Sequence, residues 1–144
     1  MTSSTDWWPE QSGRITDGLT IICNNEGTVT EGAAVKFGTS TASQIRVQNG
    51  AAVGDSWGVA LKAASTVGEG VPICVFGLYK MPATTAITQG LYVMNTATPT
   101  IVANYTITAA SLLAATSYIL GMAMQTSTAS SGTDNIVVFI GRGL

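Results

Sequence analysis

The 144-residue sequence contains no histidine, so the commonest general base and a common metal ligand are both missing. Its many hydroxyl groups therefore have no imidazole to activate them as nucleophiles. Charge is scarce as well, at 10% of the residues against roughly 25% in an ordinary globular protein. The acids Asp6, Glu10, Asp17, Glu26, Glu31, Asp55, Glu69 and Asp134 never cluster, so no calcium loop can be read. The bases Arg14, Lys36, Arg46, Lys62, Lys80 and Arg142 are singletons, and with no basic stripe to neutralise phosphates nucleic acid is not expected as a partner. Gly68-Glu69-Gly70 lacks the Gly-Lys-Ser/Thr of a phosphate loop and reads as a turn ahead of a strand. No enzyme activity, cofactor or metal is expected.

Long apolar runs are missing too. The longest, Ile107 to Met124, is interrupted by Thr108, Ser111, Thr116, Ser117 and Gly121. It falls short of the roughly 20 predominantly apolar residues of a membrane helix, so no membrane partner is expected. The first ten residues have no basic start followed by an apolar run, and no signal peptide is expected. There are two cysteines, Cys23 and Cys74, each inside apolar strand-like text. They read as buried small hydrophobes, with a disulfide between them as the alternative.

What is present is β-forming text. Residues 1–16 read as an extended polar arm carrying Trp7-Trp8-Pro9, and 17–144 as a single domain. From Asp17 onward, short runs of Val, Ile, Thr and aromatics are cut by Gly, Asn and Asp about every ten residues. Strands are predicted at 19–23, 34–37, 44–47, 56–61, 71–79, 91–94, 100–104, 118–124 and 135–140, with at most one short helix, Thr108 to Thr116. Polarity comes from Ser, Thr, Asn, Gln and Gly in place of ions. Covering such a surface desolvates few charges, which suits a protein that works in an assembly.

One unit occurs twice. A shift of 63 residues lays Trp57-Gly58-Val59-Ala60-Leu61 on Leu120-Gly121-Met122-Ala123-Met124, and Ile73-Cys74-Val75-Phe76 on Ile136-Val137-Val138-Phe139. Thr30-Glu31-Gly32-Ala33-Ala34-Val35 matches Thr88-Gln89-Gly90-Leu91-Tyr92-Val93 at a slightly smaller offset. The copies span about 30–81 and 88–144, each too small to bury its own face. The fold class is therefore all-β, a small barrel or sandwich made from two copies of a β unit. In Gly58-Val59-Ala60-Leu61 the small residues share one side, open to a close neighbour.

The continuous apolar runs imply burial on both faces. Either they lie in the centre of the monomer, or Ile73, Val75, Ile136, Val138 and Ile140 form a seam with a sister subunit. The adjacent tryptophans need a partner surface: their own barrel, a neighbouring subunit or assembly, or a ligand such as a sugar.

The succession Thr30-Glu31-Gly32 with its strand, Gly58-Val59-Ala60-Leu61, the Gly68-Glu69-Gly70 loop, Val71 to Gly77, and Ala86-Ile87-Thr88-Gln89-Gly90 resembles the capsid cement or head decoration proteins of tailed bacteriophages. Leu120-Gly121-Met122-Ala123 and Ile136 to Ile140 fit the same pattern, so the resemblance covers roughly 17–144. It implies a β-barrel-like homotrimer on the outer surface of the icosahedral head of the virion, made in the host cytoplasm. There it would stabilise the shell by binding between major capsid protein subunits. It also implies that the arm reaches along the capsid or a neighbour, making Trp7, Trp8, Pro9 and Glu10 contact residues. The stretch between Met94 and Tyr118 is longer than in the common pattern. A ligand- or sugar-binding β module, such as a fibre-tip domain, is the alternative.

Overall fold

The computed structural model describes residues 13–14, 18–39, 45–84, 86–105, 119–127 and 134–141. These form ten strands: β1 (Gly13–Arg14), β2 (Leu19–Asn25), β3 (Ala34–Phe37), β4 (Arg46–Asn49), β5 (Gly58–Ala60), β6 (Gly70–Ala83), β7 (Tyr92–Asn95), β8 (Val102–Asn104), β9 (Gly121–Ala123) and β10 (Asp134–Ile140). The chain is all-β and barrel-like, as its short Val- and Ile-rich runs predict. The helix expected at Thr108 to Thr116 lies outside the described residues.

The strands close into two rings that share the 14-residue strand β6. The first half of β6 pairs antiparallel with β2 and β5. From there β5 pairs with β3, β3 with β4, and β4 returns to β2 in parallel. The second half of β6 pairs antiparallel with β10, and at Ala83 it meets Val102 of β8 in parallel. Antiparallel ladders β8–β7, β7–β9 and β9–β10 complete that ring. Each ring thus has five strands and one parallel contact, and closure leaves few free sheet edges. The ladder of β6 changes partner near Gly77, inside the span 30–81 expected for one copy.

Turn hydrogen bonds also recur between the rings. The N–H of Ala33 donates to Thr30 C=O, and that of Leu91 to Thr88 C=O. Gly32 and Gly90, third in these turns, have φ of 81° and 91°, a region favourable to glycine. Isolated bridges Val29–Ala64 and Ile87–Ser127 likewise match.

The register corrects one detail of the sequence overlay. Ala60 faces Ile73 across β5–β6, and Ala123 faces Val138 across β9–β10. The offset is 63 for the first residue of each pair but 65 for the second, because the second connection is two residues longer. Val71 and Ile73 therefore correspond to Ile136 and Val138. A shift of two keeps every side chain on its original face, so the overlay could not reveal it.

Two cores follow. Cys23, Val35, Val47, Trp57, Val71 and Ile73 fill the first ring, and Met81, Ile87, Val93, Leu120, Ile136, Val138 and Ile140 belong to the second core. Ala34, Val59 and Cys74, from the first ring's strands, pack into that second core. In β6, adjacent Ile73 and Cys74 thus serve different cores, which explains an unbroken apolar run in a strand of one chain. Cys23 and Cys74 are buried thiols not joined by a disulfide, and burial pushes the Cys23 thiol above its ordinary pKa.

Candidate docking surface

The residues proposed as a subunit seam are placed inside the chain's own packing. Ile73 is fully buried in the first core, Ile136, Val138 and Ile140 in the second, and Val75 packs half-buried against the first. The arm residues Trp7, Trp8, Pro9 and Glu10 lie outside the described residues. The arm's root is placed: β1 pairs antiparallel with β6, Gly13 opposite Lys80 and Arg14 opposite Tyr79. Sequence reasoning missed this strand, since two residues carry no period.

Among the described residues, three exposed large apolar side chains lie on β2 and β6, and the others (Phe37, Ile45, Val53, Val67, Leu91, Tyr92 and Met124) are spread over other segments. Ile22 is 69% exposed opposite Pro72, and Leu19, 58% exposed, is the cross-strand partner of Phe76. Phe76 meets Phe139 edge-on, with ring centroids 4.8 Å apart. A register shift between Leu19 and Thr20 marks a bulge in β2 there. The run Leu19 to Cys23 had been readable as a strand, but its apolar text concealed which side chains point outward. Among the described residues no group of three Cys, Asp or Glu could hold a metal ion.

A polar clasp joins β7 of the second ring to the 50–56 segment between β4 and β5 of the first. Asn95 of β7 is fully buried, and its amide nitrogen lies 3.0 Å from Ala52 C=O, Asp55 Oδ1 and Thr96 C=O. Its Oδ1 accepts the Ser56 N–H at 3.1 Å. Asp55 Oδ2 accepts the Ala51 and Ala52 N–H groups at 2.9 Å, and Lys36 Nζ lies 3.7 Å away. Any side chain at Gly50 would occupy the space between Ser56, Asn95 and Asp55. Nothing in the spacing of Asp55 and Asn95, forty residues apart, signals this contact.

Burial alone would raise the Asp55 pKa, but hydrogen bonds from Ala51, Ala52, Asn95 and Ser56 outweigh it and hold the carboxyl below its ordinary value. A carboxylate depressed in the folded state contributes stability that is present above the unfolded pKa of about 4 and is lost as pH falls through the folded value. Melting temperature should therefore decline below about pH 4, and Asp55→Asn should flatten part of that decline. Equal acid sensitivity in both proteins would remove Asp55 from the account.

Comparison with known proteins adds a family and a fold. The family model described as phage cement protein matches residues 13–140. No curated protein matches the sequence. Among solved structures, the N base of head fiber gp8.5 in bacteriophage phi29 is similar, with a TM-score of 0.53 at 12% identity, over 86% of this chain and 94% of that one. At that identity the likeness concerns the fold.

Proposed function

The chain belongs to the phage cement protein family, and from that premise we propose that it decorates the outer surface of an icosahedral phage capsid and stabilises the shell by binding between major capsid protein subunits. The match across 13–140 carries this reading. Support comes from the ion-poor composition and from Ile22, Leu19 and Phe76, apolar side chains left facing solvent. Cementing needs no covalent chemistry. A protein that binds the assembled shell and not its dissociated parts stabilises the shell by mass action, and many weak copies act together.

In this reading the protein acts as a homotrimer on the virion, having been made in the host cytoplasm. The arm, with Trp7, Trp8, Pro9 and Glu10, lies on the capsid or on a sister subunit, while β1 anchors its root to β6. Removing residues 1–12 leaves β1 and both rings intact, so the melting temperature should be nearly unchanged. Attachment to capsid shells of the encoding phage should weaken at least about tenfold, a loss of about 1.4 kcal/mol. Co-sedimentation of the truncated protein at full affinity would refute the arm's role.

A further inference from the structure

Ring closure leaves β2 with an open edge. β4 pairs with β2 at Asn24 and Asn25, and no described strand covers Leu19 to Cys23 on the side away from β6. The Asn24 N–H donates to Ile45 C=O across that side. Main-chain groups two residues apart on a strand point the same way, so the N–H and C=O of Thr20 and Ile22 face it too, with no described strand to bond. Natural edges are commonly guarded by charge or proline, but Leu19-Thr20-Ile21-Ile22-Cys23 has neither. Such an edge is a ready template for a strand from another chain.

The flanking side chains say what that strand carries. Adjacent residues of a strand point to opposite faces. Ile22 faces solvent, while Ile21 is half-buried against the first core. A strand laid along this edge covers apolar surface on both faces when it brings two adjacent large apolar residues. Trp7-Trp8 is the one pair of adjacent aromatics in the sequence, and Trp8, preceding Pro9, is biased toward extended backbone.

The tryptophans of the same copy cannot reach this edge. Ile22 lies opposite Pro72 and Gly13 opposite Lys80, about 26 Å apart along β6 at roughly 3.3 Å per residue. Trp8 is five residues from Gly13, a reach of at most about 18 Å. β1 also runs antiparallel to β6, so its N-terminal end points toward Ala83 and away from β2.

We propose that the open edge of β2 receives the arm of a second copy as an added strand, with Trp7 and Trp8 across from Ile21 and Ile22. Each copy then gives an arm to one neighbour and takes one from another, a head-to-tail contact that closes into a ring. The proposal names the contact of the homotrimer reading above and rests on that reading. Each contact is short, so it is weak in free solution and adds little to the melting temperature.

Amide hydrogen exchange at Thr20 and Ile22, followed by NMR on the free full-length chain over a concentration series, tests the site. Sedimentation should show trimers forming as concentration rises, and exchange at both amides should slow at least tenfold in step. Trp7→Ala combined with Trp8→Ala should abolish both effects. Ile22→Lys should do the same, at an exposed position where the body tolerates a charge. Should a variant not fold, the wild-type series still decides.

Trimers that form while both amides exchange freely, or that persist with the tryptophans replaced, overturn the proposal and leave the trimer standing. Protection independent of concentration means that the same copy covers its own edge, and protection that appears only with added capsid shells means that a capsid strand does. Either result overturns the proposal. A chain that stays monomeric at every concentration overturns the proposal and the trimer reading together.

Discussion

Gly121→Ala is expected to destabilise the protein by about 3 kcal/mol, the upper part of the range for forcing extra volume into a packed site. A Cβ at Gly121 would overlap the Phe139 carbonyl of the adjacent strand and press within 3.1 Å of Val138 Cγ1. Backbone cannot rotate away as a side chain can, so β9 and β10 would have to separate where Ile140 pairs with Gly121. Gly58 occupies the corresponding place in the first ring, where a Cβ would lie 2.7 Å from Ile73 Cγ2 and 3.1 Å from Cys74 C=O. Gly27→Ala is the control. Nothing lies within 4 Å of a Cβ there, and its effect should stay within about 0.5 kcal/mol. Urea unfolding of the three proteins measures both values, and a harmless Gly121→Ala would mean that the β9–β10 contact is not as close as described.

Asn95→Ala should cost a similar amount by a different route. Removing the amide leaves the buried Ser56 N–H without its acceptor and takes a donor from Asp55 Oδ1 and Ala52 C=O. Stranding a buried polar group costs about 1–3 kcal/mol, more beside a charge, so a total near 3 kcal/mol is expected. That corresponds to a fall in melting temperature on the order of 10 °C for a chain of this size. Asn95→Ala combined with Asp55→Ala should be less than additive, because both remove the same clasp. Strict additivity would show that the two residues act independently.

Local text was a good guide to where strands form and a poor one to how they connect. Ala34–Phe37 was predicted to the residue, since Gly turns bound it on one side and polar Gly-Thr-Ser text on the other. β6 was not: the prediction stopped at Tyr79, whereas the strand continues through Pro82 to Ala83. Proline lacks a ladder donor and argues against a central strand, but β1 covers only Lys80 and Tyr79 on that edge, so Pro82 displaces no hydrogen bond to β1. The small-residue side carrying Gly58 and Ala60 was expected to admit a close neighbour, and Gly121 stands at the corresponding place in the second ring. At Gly58 that neighbour is the Ile73 side chain together with the Cys74 C=O, and at Gly121 it is the Phe139 C=O.

The surface was less legible than the core. Apolar periodicity cannot distinguish Ile22, which faces solvent, from Ile21 beside it, which packs against the first core, until the Leu19–Thr20 register shift is known. Lys80 reads as an ordinary solvated base until the fold buries it. Both features depend on long-range pairing, which composition and period do not encode.

Cementing is tested most directly by cryo-electron microscopy and thermal rupture of expanded capsid shells of the encoding phage, with and without added protein. The account predicts saturable extra density on the outer surface between major capsid subunits, and a higher rupture temperature for the decorated shells. Shells that carry no extra density and rupture at the same temperature at saturating protein would contradict it.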